Sequence, residues 1–196
     1  MARGRTTPRE RLTRYDWTAT ALAALAEGGL AAVAVEPLAA RLGATKGSFY
    51  WHFANREALL EAALVAWEDA TTTAVLARVE DSSIDPREQL RLLITLVVDI
   101  AERDPVGLGL LAHASHPLVG PTLARVTRAR IDGTVRLFAR LGFPPAQARR
   151  RALLAYSCYL GHAQLAHSTP AVLPKSKASK LDYLDHILAT LTTPPS

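Results

Sequence analysis

Residues 34–56 constrain the fold of this chain more than any other stretch. They read as two short helices, about Val35 to Leu42 and Lys46 to Phe53, joined by a tight turn at Gly43-Ala44-Thr45. Glycine is the least costly residue at a helix C-terminus, because without a Cβ it adopts positive φ freely. Thr45 then caps the next helix by accepting a backbone N–H of its first turn. The second helix holds Lys46, Ser48, Tyr50, Trp51 and His52, donors and aromatics in place of the Glu/Lys mixture of a solvated surface. A helix-turn-helix lays its second helix in the DNA major groove with N-terminal side chains on base edges. These residues predict such a headpiece.

Chemistry assigns the roles within it. Lys46, Gly47 and Ser48 stand at the end of the helix that reaches base edges; lysine donates to guanine acceptors and serine pairs with several bases. Gly47 costs about 1 kcal/mol against alanine inside a helix, a cost that close approach of the backbone to DNA explains. Thr45, Tyr50, His52 and Arg56 carry donors suited to phosphates, and Trp51 suits a sugar or a thymine methyl. Phe49 and Phe53, four residues apart, face inward as core.

From about Trp17 to Trp67 the sequence resembles the N-terminal domain of the TetR family of bacterial transcriptional regulators. The matching pieces are Leu25-Ala26-Glu27-Gly28-Gly29, Leu38-Ala39-Ala40-Arg41-Leu42-Gly43, Thr45-Lys46-Gly47-Ser48-Phe49-Tyr50-Trp51-His52-Phe53 and Asn55-Arg56-Glu57-Ala58-Leu59-Leu60. Beyond about residue 70 the likeness is one of helix count and length. The resemblance implies base contacts near the start of the recognition helix, with Tyr50, His52 and Arg56 on the DNA backbone. It also implies a ligand pocket among the central helices and dimerisation through the last two long ones. Two positions depart from the family's pattern. Ala34 stands where threonine or serine usually caps the second helix, a loss of about 1 kcal/mol and of one backbone–phosphate contact. Pro37 stands where a polar or basic residue is common.

The remainder of the chain predicts an all-α protein, with a three-helix headpiece over 1–56 and a larger helical body for effector binding and dimerisation over 57–196. Alanine and leucine dominate a composition that is 49% hydrophobic, and β-branched runs are scarce, which favours helix. Residues 1–56 carry eight basic and four acidic side chains, so most of the net +5 charge sits on the headpiece. A basic excess confined to one unit is the footprint of a phosphate-binding surface. The single cysteine, Cys158, excludes an internal disulfide. With no apolar signal segment after the basic start and no long apolar run, it predicts a cytoplasmic protein.

Along the chain, Thr7-Pro8-Arg9-Glu10 reads as a capping box opening a first helix that runs to about Glu27 and ends at Gly28-Gly29. Trp17, Ala21, Leu22 and Leu25 form its apolar stripe. Asn55 caps a fourth helix from Arg56 to about Val79. After a break at Asp81–Pro86, helices are expected at about 86–102, 106–114, 118–141, 145–167 and 178–192, punctuated by proline and glycine. Leu153 to Leu165 is apolar nearly all round, and Leu181, Leu184, Leu188 and Leu191 form a stripe behind a Ser179–Asp182 capping box. A two-fold dimer explains both helices, as does burial within one body.

Polar-tipped groups on apolar segments, Trp67, His113, His116, Tyr156, Tyr159, His162 and Gln164, are candidates for a mostly hydrophobic pocket. His113 and His116 lack a third ligand, so no metal is expected, and neither a P-loop nor a dinucleotide fingerprint calls for a cofactor. Cys158 and His162, four apart, lack an orienting third group for nucleophilic chemistry. The expected function is a ligand-responsive homodimeric repressor that binds palindromic double-stranded DNA and is released by a small apolar or amphipathic effector. An activator or multi-gene regulator with the same headpiece is the alternative. An enzyme built around Cys158 is a distant third.

Overall fold

The computed structural model describes residues 12–80 and 83–193. Among these residues the chain is helical throughout, with no strand. The helices are α1 (Arg14–Ala32), α2 (Val35–Arg41), α3 (Lys46–Tyr50), α4 (Arg56–Glu68), α5 (Ala74–Val79), α6 (Pro86–Arg103), α7 (Val106–Leu111), α8 (Val119–Arg140), α9 (Pro145–Ser168) and α10 (Lys177–Thr192). They form two compact units that divide between Ala63 and Leu64, inside α4. The sequence reading set the boundary at the start of that helix, at 56/57.

In the first unit, α1 begins at Arg14. Thr13 and Asp16 make its capping box: the Thr13 hydroxyl accepts from the Asp16 N–H and the Asp16 carboxylate accepts from the Thr13 N–H, at 3.3 and 2.7 Å. The capping box expected at Thr7–Glu10 lies outside the described residues. Gly28 and Gly29 leave helical geometry, Gly29 at φ 64°, and a last turn follows to Ala32. Trp17, Ala21 and Leu25 are buried, and the Trp17 ring meets Phe49 edge-on at 5.4 Å between centroids. Phe49 stacks on Phe53 at 5.7 Å, so both are core, as their spacing predicts.

Ala34 makes no side-chain cap on α2, and Pro37 falls in the first turn, where N–H groups have no intrahelical acceptor. At the other end, Gly43 at φ 59° lets its own N–H reach Ala40 O and the Ala44 N–H reach Ala39 O, at 3.0 and 2.8 Å. This double bond pattern closes the helix and sets the direction of the chain into α3. Asn55 caps α4 by accepting from the Ala58 N–H at 2.8 Å.

In the second unit, the helix expected to run from Arg56 to Val79 carries a π-helical turn, Asp69–Thr73, between α4 and α5. Of the predicted break, Asp81 and Ser82 lie outside the described residues, and Asp85 caps α6. Helix α7 stops at Leu111, short of 114. The core lies where α5, α6, α8, α9 and α10 meet, around Val79, Leu90, Phe138, Ala148, Ala152 and Leu188. The alanines on α9 let α8 and α6 approach it closely. Helix α10 is capped by Ser176, whose hydroxyl accepts from the Ser179 N–H at 3.1 Å, so the box expected at Ser179–Asp182 does not form the cap. Of its leucine stripe, Leu188 and Leu191 are buried, Leu184 packs on the core and Leu181 is exposed.

Candidate nucleic-acid interface and ligand cavity

Thr45 caps α3 with its hydroxyl 3.2 Å from the Ser48 nitrogen, which fixes the first turn of a helix only five residues long. Phe49 is its one buried residue. With that anchor turned inward, the rest of the helix faces out. Trp51 is 85% exposed and Tyr50 55%. Such exposure of two large rings side by side is costly in water unless a partner covers them. Lys46 extends beside them and pairs with Glu36 at 2.9 Å, an exposed contact that is easily exchanged for another anion. The glutamate holds Lys46 firmly in its charged form, above the ordinary lysine range.

Gly47 has room for a side chain: a Cβ there would meet only Thr45 Oγ1, at 3.7 Å. Nothing within the unit requires glycine at this place. Ser48 and His52 are half-buried. Arg14 lies 4.2 Å over the Phe53 ring and donates to His52 O at 2.8 Å, tying α1 to the end of the recognition segment.

Arg56 departs from the expectation. Its Nε donates to Val33 O and its Nη2 to Leu30 O, both at 2.6 Å. Pro37, four residues after Val33, has no N–H to offer that carbonyl, and Arg56 supplies the donor instead. The guanidinium is thus engaged in holding α4 to the kinked end of α1, rather than extended towards a phosphate.

The pocket candidates separate. Tyr156, Tyr159 and His162 line a cavity in the second unit with about 820 Å³ of empty space, part of it open to solvent. Trp67 borders a smaller neighbouring space, its indole N–H donating to Asp104 Oδ2 at 2.8 Å. His113 and Gln164 are exposed, and His116 accepts from the Leu118 N–H in the turn before α8; none of the three reaches the cavity. The reason is register: His113 and His116 lie past the end of α7, and Gln164 falls on the outward side of α9.

Sequence reasoning passed over Arg130, Thr71, Thr72, Thr134 and Tyr183, all of which line the cavity. For Arg130 a signal existed. On α8 it continues the buried series Thr122, Val126, Thr134 and Leu137 at helical spacing, a place where a cation needs a purpose. His162 is buried between Tyr183 Oη, 3.3 Å from Nδ1, and Glu102 Oε1, 3.6 Å from Nε2. Burial pushes its pKa below the ordinary histidine value, against the pull of Glu102. Its Nδ1 is thus engaged by Tyr183, while the buried Nε2 has no hydrogen bond among the described residues and faces the Glu102 carboxylate. Among the described residues no cluster of three or more His, Cys, Asp or Glu side chains is arranged to hold a metal, and no helix is long and apolar enough to cross a membrane.

A capped, glycine-turned second helix with exposed aromatic and basic groups defines the first unit as a helix-turn-helix DNA-binding headpiece. Residues 18–63 match the family model of bacterial regulatory proteins, tetR family. Over these residues the first unit is similar to the DNA-binding domain of that family. Solved structures share the fold over nearly the whole chain. A transcriptional regulator from Rhodococcus sp. Rha1 is 24% identical, covering 92% of this chain and 94% of its own, with a TM-score of 0.73. A TetR transcriptional regulator from Legionella pneumophila is 17% identical over 91% and 96%, with a TM-score of 0.74. SmeT, the repressor of the Stenotrophomonas maltophilia multidrug efflux pump SmeDEF, is 22% identical over 95% and 96%, with a TM-score of 0.68. No curated protein sequence matches the chain.

Proposed function

We propose that the protein is a homodimeric repressor that binds a palindromic operator and is released when a small apolar or amphipathic effector enters the cavity of the second unit. The observation that carries the DNA-binding half is the outward face of α3, where Tyr50 and Trp51 stand uncovered beside Lys46. Lys46, Gly47 and Ser48 read base edges; Gly47 allows the backbone to come close. Tyr50 and His52 hold phosphates, and Trp51 covers sugar or a thymine methyl. Thr45 contributes by capping, and Arg56 by fixing α4.

For the dimer, Leu153, Leu154 and Leu165 on α9 and Leu181 on α10 are exposed apolar side chains of one unit, a pattern that a two-fold partner covers. Release is a population shift. Effector binding favours a headpiece separation that no longer matches successive major grooves about 34–36 Å apart.

The division of roles is tested by replacing Tyr50, His52 or Lys46 with alanine and measuring binding to operator and random duplex at several salt concentrations. Loss of Tyr50 or His52 should weaken binding to all sequences alike, whereas loss of the cationic Lys46 should also relax base preference and lower the salt slope by about 1. Equal loss on both duplexes for all three variants contradicts the assignment.

A further inference from the structure

We infer that the cavity of the second unit selects an aliphatic carboxylate, whose head group is held by Arg130 and the hydroxyls of Tyr159 and Thr72. The inference rests on the effector-cavity reading above and specifies the ligand that the cavity takes.

Arg130 is the one permanent cation among the described residues lining the cavity, and none of those residues is acidic. Its guanidinium lies over the Trp67 and Tyr159 rings, 5.6 and 5.3 Å from their centroids, and every oxygen it donates to is neutral. Nε donates to Thr72 Oγ1 at 2.9 Å, Nη1 to Tyr159 Oη at 3.1 Å, and Nη2 to Thr71 Oγ1 at 3.0 Å and Thr71 O at 3.4 Å. No described carboxylate lies within ion-pair distance of it, whereas Arg125, on the same helix, is paired with Glu68. The nearest acidic residue in the adjoining space, Asp104, is taken by the Trp67 indole and the Val106 N–H. A half-buried guanidinium without a counter-ion has lost part of its hydration with no opposite charge in return. A ligand that brings the counter-ion offsets that loss.

The donors around Arg130 specify the head group further. A guanidinium has five N–H groups, and Nη1 uses one of its two. Thr72 Oγ1 and Tyr159 Oη accept from Arg130, and among the described residues neither hydroxyl hydrogen has an acceptor, whereas Thr71 donates to Trp67 O at 2.8 Å. Burial pushes the Tyr159 phenol up, so it remains protonated and a donor. Two hydroxyls whose oxygens already accept from Arg130, and whose hydrogens are left to donate, thus flank one cation, an arrangement that suits a carboxylate: two oxygens, acceptor only, negatively charged.

The local backbone is built to this end. Thr71 and Thr72 are sequence neighbours, which in an α-helix point about 100° apart. The π-helical turn Asp69–Thr73 brings both hydroxyls onto one guanidinium, and such turns concentrate at functional sites. The remaining wall is largely aliphatic, with Val75, Leu93, Ile94, Val97 and Ile187 among its members. An apolar chain ending in one carboxylate matches both parts.

The test is isothermal titration calorimetry of the full chain with decanoate and with 1-decanol, which share a tail and differ in the head. The wild type should bind decanoate about tenfold or more tightly than decanol, since one charge-assisted contact is worth that much. Arg130→Gln should abolish the preference by weakening decanoate and sparing decanol. Tyr159→Phe, which leaves the guanidinium in place, should weaken decanoate severalfold with decanol unchanged, and carries the test if the arginine variant does not fold. Decanol binding as tightly as decanoate, or a preference that survives both substitutions, overturns the inference, as does failure of decanoate to bind. Operator release, followed separately by fluorescence anisotropy, distinguishes the two levels. Decanoate that binds through Arg130 without releasing DNA supports the carboxylate site and contradicts the effector reading. Release by neutral apolar compounds alone does the reverse.

Discussion

Arg56→Met removes two hydrogen bonds from a charged donor while keeping most of the side chain's apolar stem. Bonds to a charged group contribute about 1.5–3 kcal/mol each. Here the side chain is 34% exposed, so water replaces part of what is lost. Leu30 O keeps the Val33 N–H at 3.3 Å. Val33 O, with proline four residues on, loses the donor Arg56 gave it. The net destabilisation of the headpiece should be about 2 kcal/mol, roughly a thirtyfold rise in the population of its opened state. Native-state amide hydrogen exchange is the appropriate assay, because it reads the headpiece separately from the body. Amides of α1 and α4 should exchange about thirtyfold faster, with those of α8 and α9 unchanged. Unchanged protection together with weakened DNA binding would refute the reasoning and return Arg56 to the phosphate role that its sequence position implied.

Other perturbations reach the remaining parts of the account. Gly43→Ala forces a Cβ into left-handed backbone at φ 59°, and should cost about 1–2 kcal/mol in thermal or urea denaturation while reducing operator affinity. An unchanged Tm would contradict the part given to the turn. His162 has a pKa lowered by burial, so the unfolded chain takes up its proton at a higher pH than the folded one does. Stability should be constant above about pH 6.5 and fall as pH drops from there towards the folded value. His162→Asn should flatten that slope in urea titrations, and an unaltered slope would count against it. Leu154 is half exposed, so Leu154→Glu should leave the protomer folded and shift sedimentation from dimer to monomer. A dimer that persists would place the interface elsewhere.

What the sequence disclosed follows the range of the interactions involved. Thr45, Gly43 and Asn55 were legible because caps and turns are decided within four residues. Phe49 and Phe53 were legible because one helical period places both on the same face. Among the described residues α1 is capped by Thr13 and Asp16, a second pair with the same cap chemistry as Thr7 and Glu10, which lie outside those residues. The acceptors that Arg56 holds, Leu30 O and Val33 O, are backbone atoms more than twenty residues away, which no local spacing announces.

In the body, Tyr156, Tyr159 and His162 line one cavity, and they lie within two turns of one apolar helix. Arg130 was hidden among the several arginines of α8, and its meaning depends on a π-helical turn at Asp69–Thr73 that no short-range pattern announces. For His113, His116 and Gln164 residue type alone drew attention to positions away from the cavity, His113 and Gln164 exposed and His116 engaged by the Leu118 N–H.

The central claim, that this chain recognises a specific DNA sequence through α3, is tested most directly by selection from random duplex DNA followed by fluorescence anisotropy on the enriched sequence. The account predicts an enriched palindrome bound about a thousandfold or more tightly than random duplex, with the preference reduced by Lys46→Ala. No enrichment, with equal binding of all duplexes at every salt concentration, would contradict it.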